Sequence, residues 1–162
     1  MSTSQPIRDT QDLTALREFY LKDEPNMRNY VLICLGVNSA LRISDLLELK
    51  WKDVYNFKDE NFKKHLITYE KKTGKETWIA INENARNGLQ EYMKFLKKIS
   101  GEDYIFKGKN NGGHLSRSQA FRIIKHAAGE LNLENGISCH SMRKTFGYCL
   151  LYTSDAADDL IG

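Results

Sequence analysis

The sequence predicts a mostly α domain of the α+β class, helical with a small three-stranded antiparallel sheet. Two observations carry that expectation: apolar residues recur at 3–4-residue spacing along most of the chain, and three short runs near its middle alternate in the manner of strands. In chain order, Asp9 or Thr10 caps a first helix with Leu13, Leu16 and Tyr20 on one face. Pro25 opens a second helix whose centre, Tyr30 to Leu35, is apolar all round and therefore buried. Ser44 precedes a short helix over Asp45–Leu49. Val54–Phe57, His65–Tyr69 and Thr77–Ile81 are the predicted strands. The last two flank Lys71-Lys-Thr-Gly-Lys-Glu, in which Thr73-Gly74 supplies the turn of a basic hairpin. Ala85, Leu89, Tyr92, Leu96 and Ile99 then mark an amphipathic helix. After the Asn110–Gly113 loop, Ser116 caps a helix through Ala120, Ile124, Ala127 and Leu131, and His140–Tyr148 begins another.

Length and composition narrow the function. The 162 residues suffice for one well-buried domain, and 41% apolar with 28% charged residues is an ordinary globular balance. The longest apolar stretch, Tyr30 to Val37, is too short for a membrane helix, and no apolar segment follows Met1 as in a signal peptide. Three cysteines, Cys34, Cys139 and Cys149, show no CxxC spacing, which argues against a disulfide framework and for a reducing, cytoplasmic compartment. The four histidines have no HxxxH or Cys/His ligand spacing, so neither a metal nor any other cofactor is expected.

Charge is unevenly placed. Residues 50–75 hold eight lysines against four acids, and residues 94–125 hold eight basic residues against two. The last fourteen residues carry three aspartates and no base. Clustered cations of this kind suit phosphates, though composition alone equally allows solvated helix faces.

Four segments decide between them. Ala40-Leu-Arg-Ile-Ser-Asp-Leu-Leu-Glu-Leu49 resembles the first arginine box of the tyrosine recombinases, the phage-integrase family of site-specific DNA recombinases. Lys71-Lys-Thr-Gly-Lys75 is similar to that family's catalytic lysine turn, with Lys72 in the matching place. Leu115-Ser-Arg-Ser-Gln-Ala-Phe-Arg122 is similar to its DNA-facing helix start, and His140-Ser-Met-Arg-Lys-Thr-Phe-Gly147 to its His-x-x-Arg box. Singly, each would read as surface charge; their order and spacing make the match.

The resemblance implies a recombinase catalytic domain over residues 1–148 and a chemistry. A tyrosine hydroxyl attacks a DNA phosphodiester, giving a 3′-phosphotyrosyl bond and a free 5′-hydroxyl without a metal. Arg42 and Arg143 would meet the charge growing on the non-bridging oxygens, because guanidinium forks bind oxyanions with paired hydrogen bonds. His140, one turn before Arg143, would share the phosphate or handle the nucleophile's proton. Lys72 would protonate the departing 5′-oxygen as general acid. Asp45, one turn after Arg42, would orient it. Lys71, Lys75, Ser116, Arg117, Arg122 and Lys144 would contact double-stranded DNA, the expected partner. Protomers of the full-length parent would assemble on that DNA, in association with the nucleoid.

The resemblance is incomplete at both ends. The smaller helical domain that usually precedes this one, the N-terminal core-binding domain, is expected to be absent or untranslated, because Met1 lies only about a helix and a half before the first arginine box. The nucleophilic tyrosine is expected well beyond Arg143, and Tyr148 and Tyr152 stand too close behind the box to be assigned. Residues 149–162, beginning Cys149-Leu-Leu-Tyr-Thr-Ser-Asp-Ala-Ala-Asp158, resemble translated sequencing adapter and are expected to be a non-native tail. Residues 1–148 alone carry 24 basic against 18 acidic side chains. The expectation is a recombinase fragment inactive in cleavage. The alternative is a non-catalytic DNA-binding decoy or regulator derived from a recombinase. A helix-turn-helix repressor reading with Ser116–Leu131 leaves Arg42, Lys72, His140 and Arg143 unexplained.

Overall fold

The computed structural model describes residues 10–37, 41–69, 72–109 and 113–133. Helix α1 (Thr10–Glu18) runs into a π-helical turn (Phe19–Asp23), followed by α2 (Met27–Val37), α3 (Ile43–Leu47) and α4 (Trp51–Val54). Strands β1 (Tyr55–Asn56), β2 (Asn61–Phe62), β3 (His65–Tyr69) and β4 (Glu76–Ala80) precede α5 (Glu83–Leu96) and α6 (Arg117–Glu130).

Helix α2 is the organising element, and its all-round apolar sequence is the reason. Val31, Leu32 and Leu35 face a core shared with α3, α4, α5, Leu66 of β3, Phe106 and Leu115. Ile33 and Val37 face a second core formed with Leu16, Phe19, Tyr20, Ile124, Ala127 and Ala128. Helix α2 starts at Met27, two residues after the expected Pro25, because the Asn26 side-chain oxygen accepts from Asn29 N–H at 3.1 Å. Helix α5 lies close against α2 at Gly88, where an added Cβ would stand 3.2 Å from the Tyr30 ring.

Caps fix the two best-predicted helices. Asn82 accepts from Ala85 N–H at 2.9 Å, and Ser116 and Gln119 form a reciprocal capping box. The latter confirms Ser116 as a cap. Helix α5 stops at Leu96, short of Ile99, because Lys97 adopts a positive φ of 62°.

The sheet differs from expectation. Among the described residues there are two separate two-stranded antiparallel ladders, β1–β2 and β3–β4, and no three-stranded sheet. The predicted strand Val54–Phe57 survives only as Tyr55–Asn56, since Trp51–Val54 is helical. The Asn56 side chain accepts from the N–H groups of Lys58 and Asp59, closing a local turn that folds β2 back onto β1. Tyr55 packs edge-on against both Phe57 and Phe62, so local aromatic contacts take the place of pairing with β3. Likewise the helix read as Asp45–Leu49 is Ile43–Leu47, with Arg42 rather than Ser44 at its cap position.

Burial of Cys34 in α2 gives the fold an alkaline limit. Desolvation pushes its thiol up to about 11 from 9.0, and burial together with Cys34 pushes the Tyr30 phenol up to about 12. Both groups hold their protons longer folded than unfolded. Their contribution is therefore complete below pH 9 and is lost as pH climbs toward 11–12. Urea titrations should show stability falling from pH 9 upward, and Cys34→Ala should remove on the order of 2 kcal/mol of that fall. An identical pH profile in the variant would refute the assignment.

Candidate nucleic-acid interface and phosphate-engaging site

Arg42 stands at the cap position of α3, where its carbonyl accepts from Leu46 N–H at 2.9 Å. Its neighbour Leu41 is anchored in the core at 7% exposure, while the Arg42 side chain is exposed. The anchor fixes the backbone, and the extended φ/ψ of −68°/150° lets the residue leave the helix end. No ion pair engages Arg42 among the described residues. Asp45 is half-buried in the first turn of α3, where a carboxylate suits the positive helix end. No hydrogen bond joins it to Arg42 among the described residues.

Lys72 and Lys75 sit, exposed, at the tip of the β3–β4 hairpin. The turn closes through Lys75 N–H donating to Thr73 Oγ at 3.2 Å and through Gly74 at φ 71°, a conformation that favours glycine. Leu66 and Ile81, both buried, root the hairpin in the main core. Its outer half stands clear of the body. The register pairs Ile67 with Trp78 and Tyr69 with Glu76, which places Tyr69 (65% exposed) and Trp78 (59%) on one open face beside the lysines.

The start of α6 is positioned by the preceding chain. Leu115 N–H donates to Phe106 O at 2.8 Å, and both residues are buried. From there Ser116, Arg117 and Arg122 are exposed. The helix also presents Phe121, 42% exposed, with the Lys125 ammonium 5.7 Å above its ring. Arg117, Phe121 and Lys125 recur every fourth residue and so form one stripe.

Helices α3 and α6 touch, and α4, which follows α3, touches β3. The three exposed cationic elements thus hang on one apolar core that includes Leu41, Leu66, Leu115 and Ala120. The ion pairs that do form lie elsewhere, such as Lys50 and Lys52 on Glu102. In that cluster the lysines hold the Glu102 carboxyl below its ordinary range, and Glu102 raises Lys52. Lys71, His140, Arg143, Lys144 and the tail 149–162 lie outside the described residues. Sequence reasoning missed Phe121, Lys125, Tyr69 and Trp78. The fourfold spacing of the first two was visible, but the open face of the last two needed the strand register.

No helix among the described residues is long and apolar enough to cross a membrane. The chain is 40% identical over 148 residues to the probable integrase/recombinase YoeC of Bacillus subtilis (strain 168), covering 91% of this chain and 75% of that protein. It is 31% identical to the tyrosine recombinase XerD of Rickettsia bellii (strain RML369-C), covering 90% of this chain but only 50% of the relative. Among solved structures, that of XerA recombinase superposes with a TM-score of 0.72 at 20% identity, over 93% of this chain and 52% of the other. XerH site-specific recombinase bound to its difH substrate gives 0.72 at 18% identity, over 95% and 44%. The sequence model of the phage integrase family matches residues 9–159. Fold, motif order and relatives agree: the chain belongs to the phage integrase family of tyrosine recombinases.

Proposed function

We propose that this chain is the phosphate-engaging part of a site-specific DNA recombinase whose parent cuts and rejoins DNA through a 3′-phosphotyrosyl intermediate. Arg42 and Arg143 neutralise the non-bridging oxygens, His140 assists at the same phosphate, and Lys72 protonates the leaving 5′-oxygen. Asp45 supports the helix end from which Arg42 projects. Lys71, Lys75, Ser116, Arg117, Arg122 and Lys144 hold the flanking double-stranded DNA. No tyrosine of this sequence serves as nucleophile. In the whole parent, protomers assemble on the DNA.

One observation carries the reading: Arg42, Lys72, Lys75, Arg117 and Arg122 are exposed and outside every ion pair of the described residues, on elements sharing one core. Cations left unneutralised together are available to phosphates. With about six phosphate contacts, affinity for duplex DNA should fall roughly 10³-fold between 50 and 200 mM salt. Replacing Arg117 and Arg122 together by alanine should make the log–log salt slope shallower by about 2 and weaken binding roughly 50-fold at 0.1 M salt. Both sites are exposed, so folding is retained. Affinity insensitive to salt would sink the interface. On a nicked recombination substrate no covalent complex should form, and a phosphotyrosyl adduct at Tyr148 or Tyr152 would overturn the missing nucleophile.

A further inference from the structure

On the outer side of the junction between the π-helical turn and α6, the geometry points to a binding site for a divalent transition-metal ion of the zinc class, formed by Glu24, His126 and Glu130. One ligand atom from each of the three lies within 4.8 Å of the others, and all three side chains are exposed. His126 and Glu130 are one turn apart on α6 and share a face. Glu24 comes from the far side of the chain, 102 residues away, and its Oε2 lies 2.8 Å from His126 Nε2.

The frame that holds these ligands is rigid without an ion. Glu24 N–H donates to Phe19 O at 3.0 Å, and the Tyr20 hydroxyl donates to Ile123 O at 2.6 Å, tying the turn to α6. The buried Phe19 ring meets the His126 imidazole nearly edge-on at 5.8 Å between centroids, which sets its orientation.

A simple ion pair accounts for less of the cluster. It engages only Glu24 and His126, at 2.8 Å. It also leaves Glu130 without a partner among the described residues, beside a second carboxylate. An imidazole nitrogen with two carboxylates is instead a donor set suited to zinc, whereas magnesium favours oxygen ligands alone. An open groove of about 460 Å³, lined by Glu24 and His126 together with Tyr20, Asn29 and Arg122, gives water access to complete the coordination. The spacing rule applied to the sequence looked for His and Cys partners only, and no local pattern reveals a carboxylate from Glu24.

Zinc chloride titrated calorimetrically into the intact chain tests the site, with magnesium chloride as comparison and His126→Ala and Glu130→Gln as variants. Both residues are exposed on α6, and circular dichroism checks that the variants stay folded. One zinc ion should bind per chain at this site, each variant should bind it at least 10-fold more weakly, and a hundredfold excess over Kd should raise Tm by roughly 5–10 °C. No zinc heat up to millimolar concentration, an affinity unchanged in either variant, or an equal response to magnesium would each overturn the proposal.

Discussion

Arg42→Ala should lower the rate of DNA cleavage about 10²–10³-fold while leaving duplex affinity within 10-fold, once a nucleophile is supplied. The assay joins residues 1–148 to the C-terminal part of the Bacillus subtilis relative, with which this chain shares 40% identity over 148 residues. The split between rate and affinity follows from charge development. In the ground state the phosphate carries one negative charge, met by many cations along the interface. Only in the five-coordinate state does charge concentrate on the oxygens a fixed guanidinium would hold, so its loss falls on the chemical step. Lys72→Ala should also slow cleavage, for a different reason. A general acid is needed only when the leaving oxygen is a poor leaving group. A substrate with sulfur in the 5′-bridging position should therefore restore Lys72→Ala toward the parental rate and leave Arg42→Ala slow. If sulfur rescues both variants or neither, the assignment of Lys72 as acid fails. If Arg42→Ala loses affinity and rate equally, Arg42 serves binding rather than the transition state.

What the sequence made legible has a physical boundary. Helices α5 and α6 were readable because amphipathic spacing and a local cap, Asn82 or Ser116, lie within a few residues of each other. The buried character of α2 was readable because its centre is apolar on every side. The π-helical turn over Phe19–Asp23 was not, since its stability comes from Tyr20 bonding to Ile123, 103 residues away. The third strand, Val54–Phe57, was misassigned because its strand-like composition does not say which strand it pairs with, and the Asn56 turn decides that partner as Asn61–Phe62. The site divides in the same way. Arg42, Lys72, Arg117 and Arg122 were named by motif, but that they stand outside every ion pair of the described residues is a property of the packed molecule. The Glu24–His126–Glu130 cluster was invisible because its parts meet only when the π-helical turn docks on α6.

Trp51→Ala should cost about 3–5 kcal/mol, the largest loss of stability expected from one side chain here. Trp51 is fully buried and is the largest side chain so placed. Its ring lies 5.7 Å from that of Tyr92 on α5, joining α4 to α5, while its backbone N–H, which the alanine variant keeps, donates to Asp103 O at 3.0 Å. Removing the indole leaves a cavity among Val54, Leu89 and other members of that core, whose backbone is held by ladders and caps and collapses only in part. Against a total stability of about 5–15 kcal/mol, such a loss leaves a sizeable unfolded population at 37 °C. The consequence reaches the site, because α4 packs on β3 and so supports the hairpin that presents Lys72. Trp51→Phe keeps most of the apolar volume and should cost far less, which separates loss of packing from loss of the α4 backbone. Urea unfolding with an unchanged m value reads both variants on one scale. A cost below about 1 kcal/mol for Trp51→Ala would mean the indole is not the centre of this core, and the rooting of the hairpin would then rest on Leu66 and Ile81 alone.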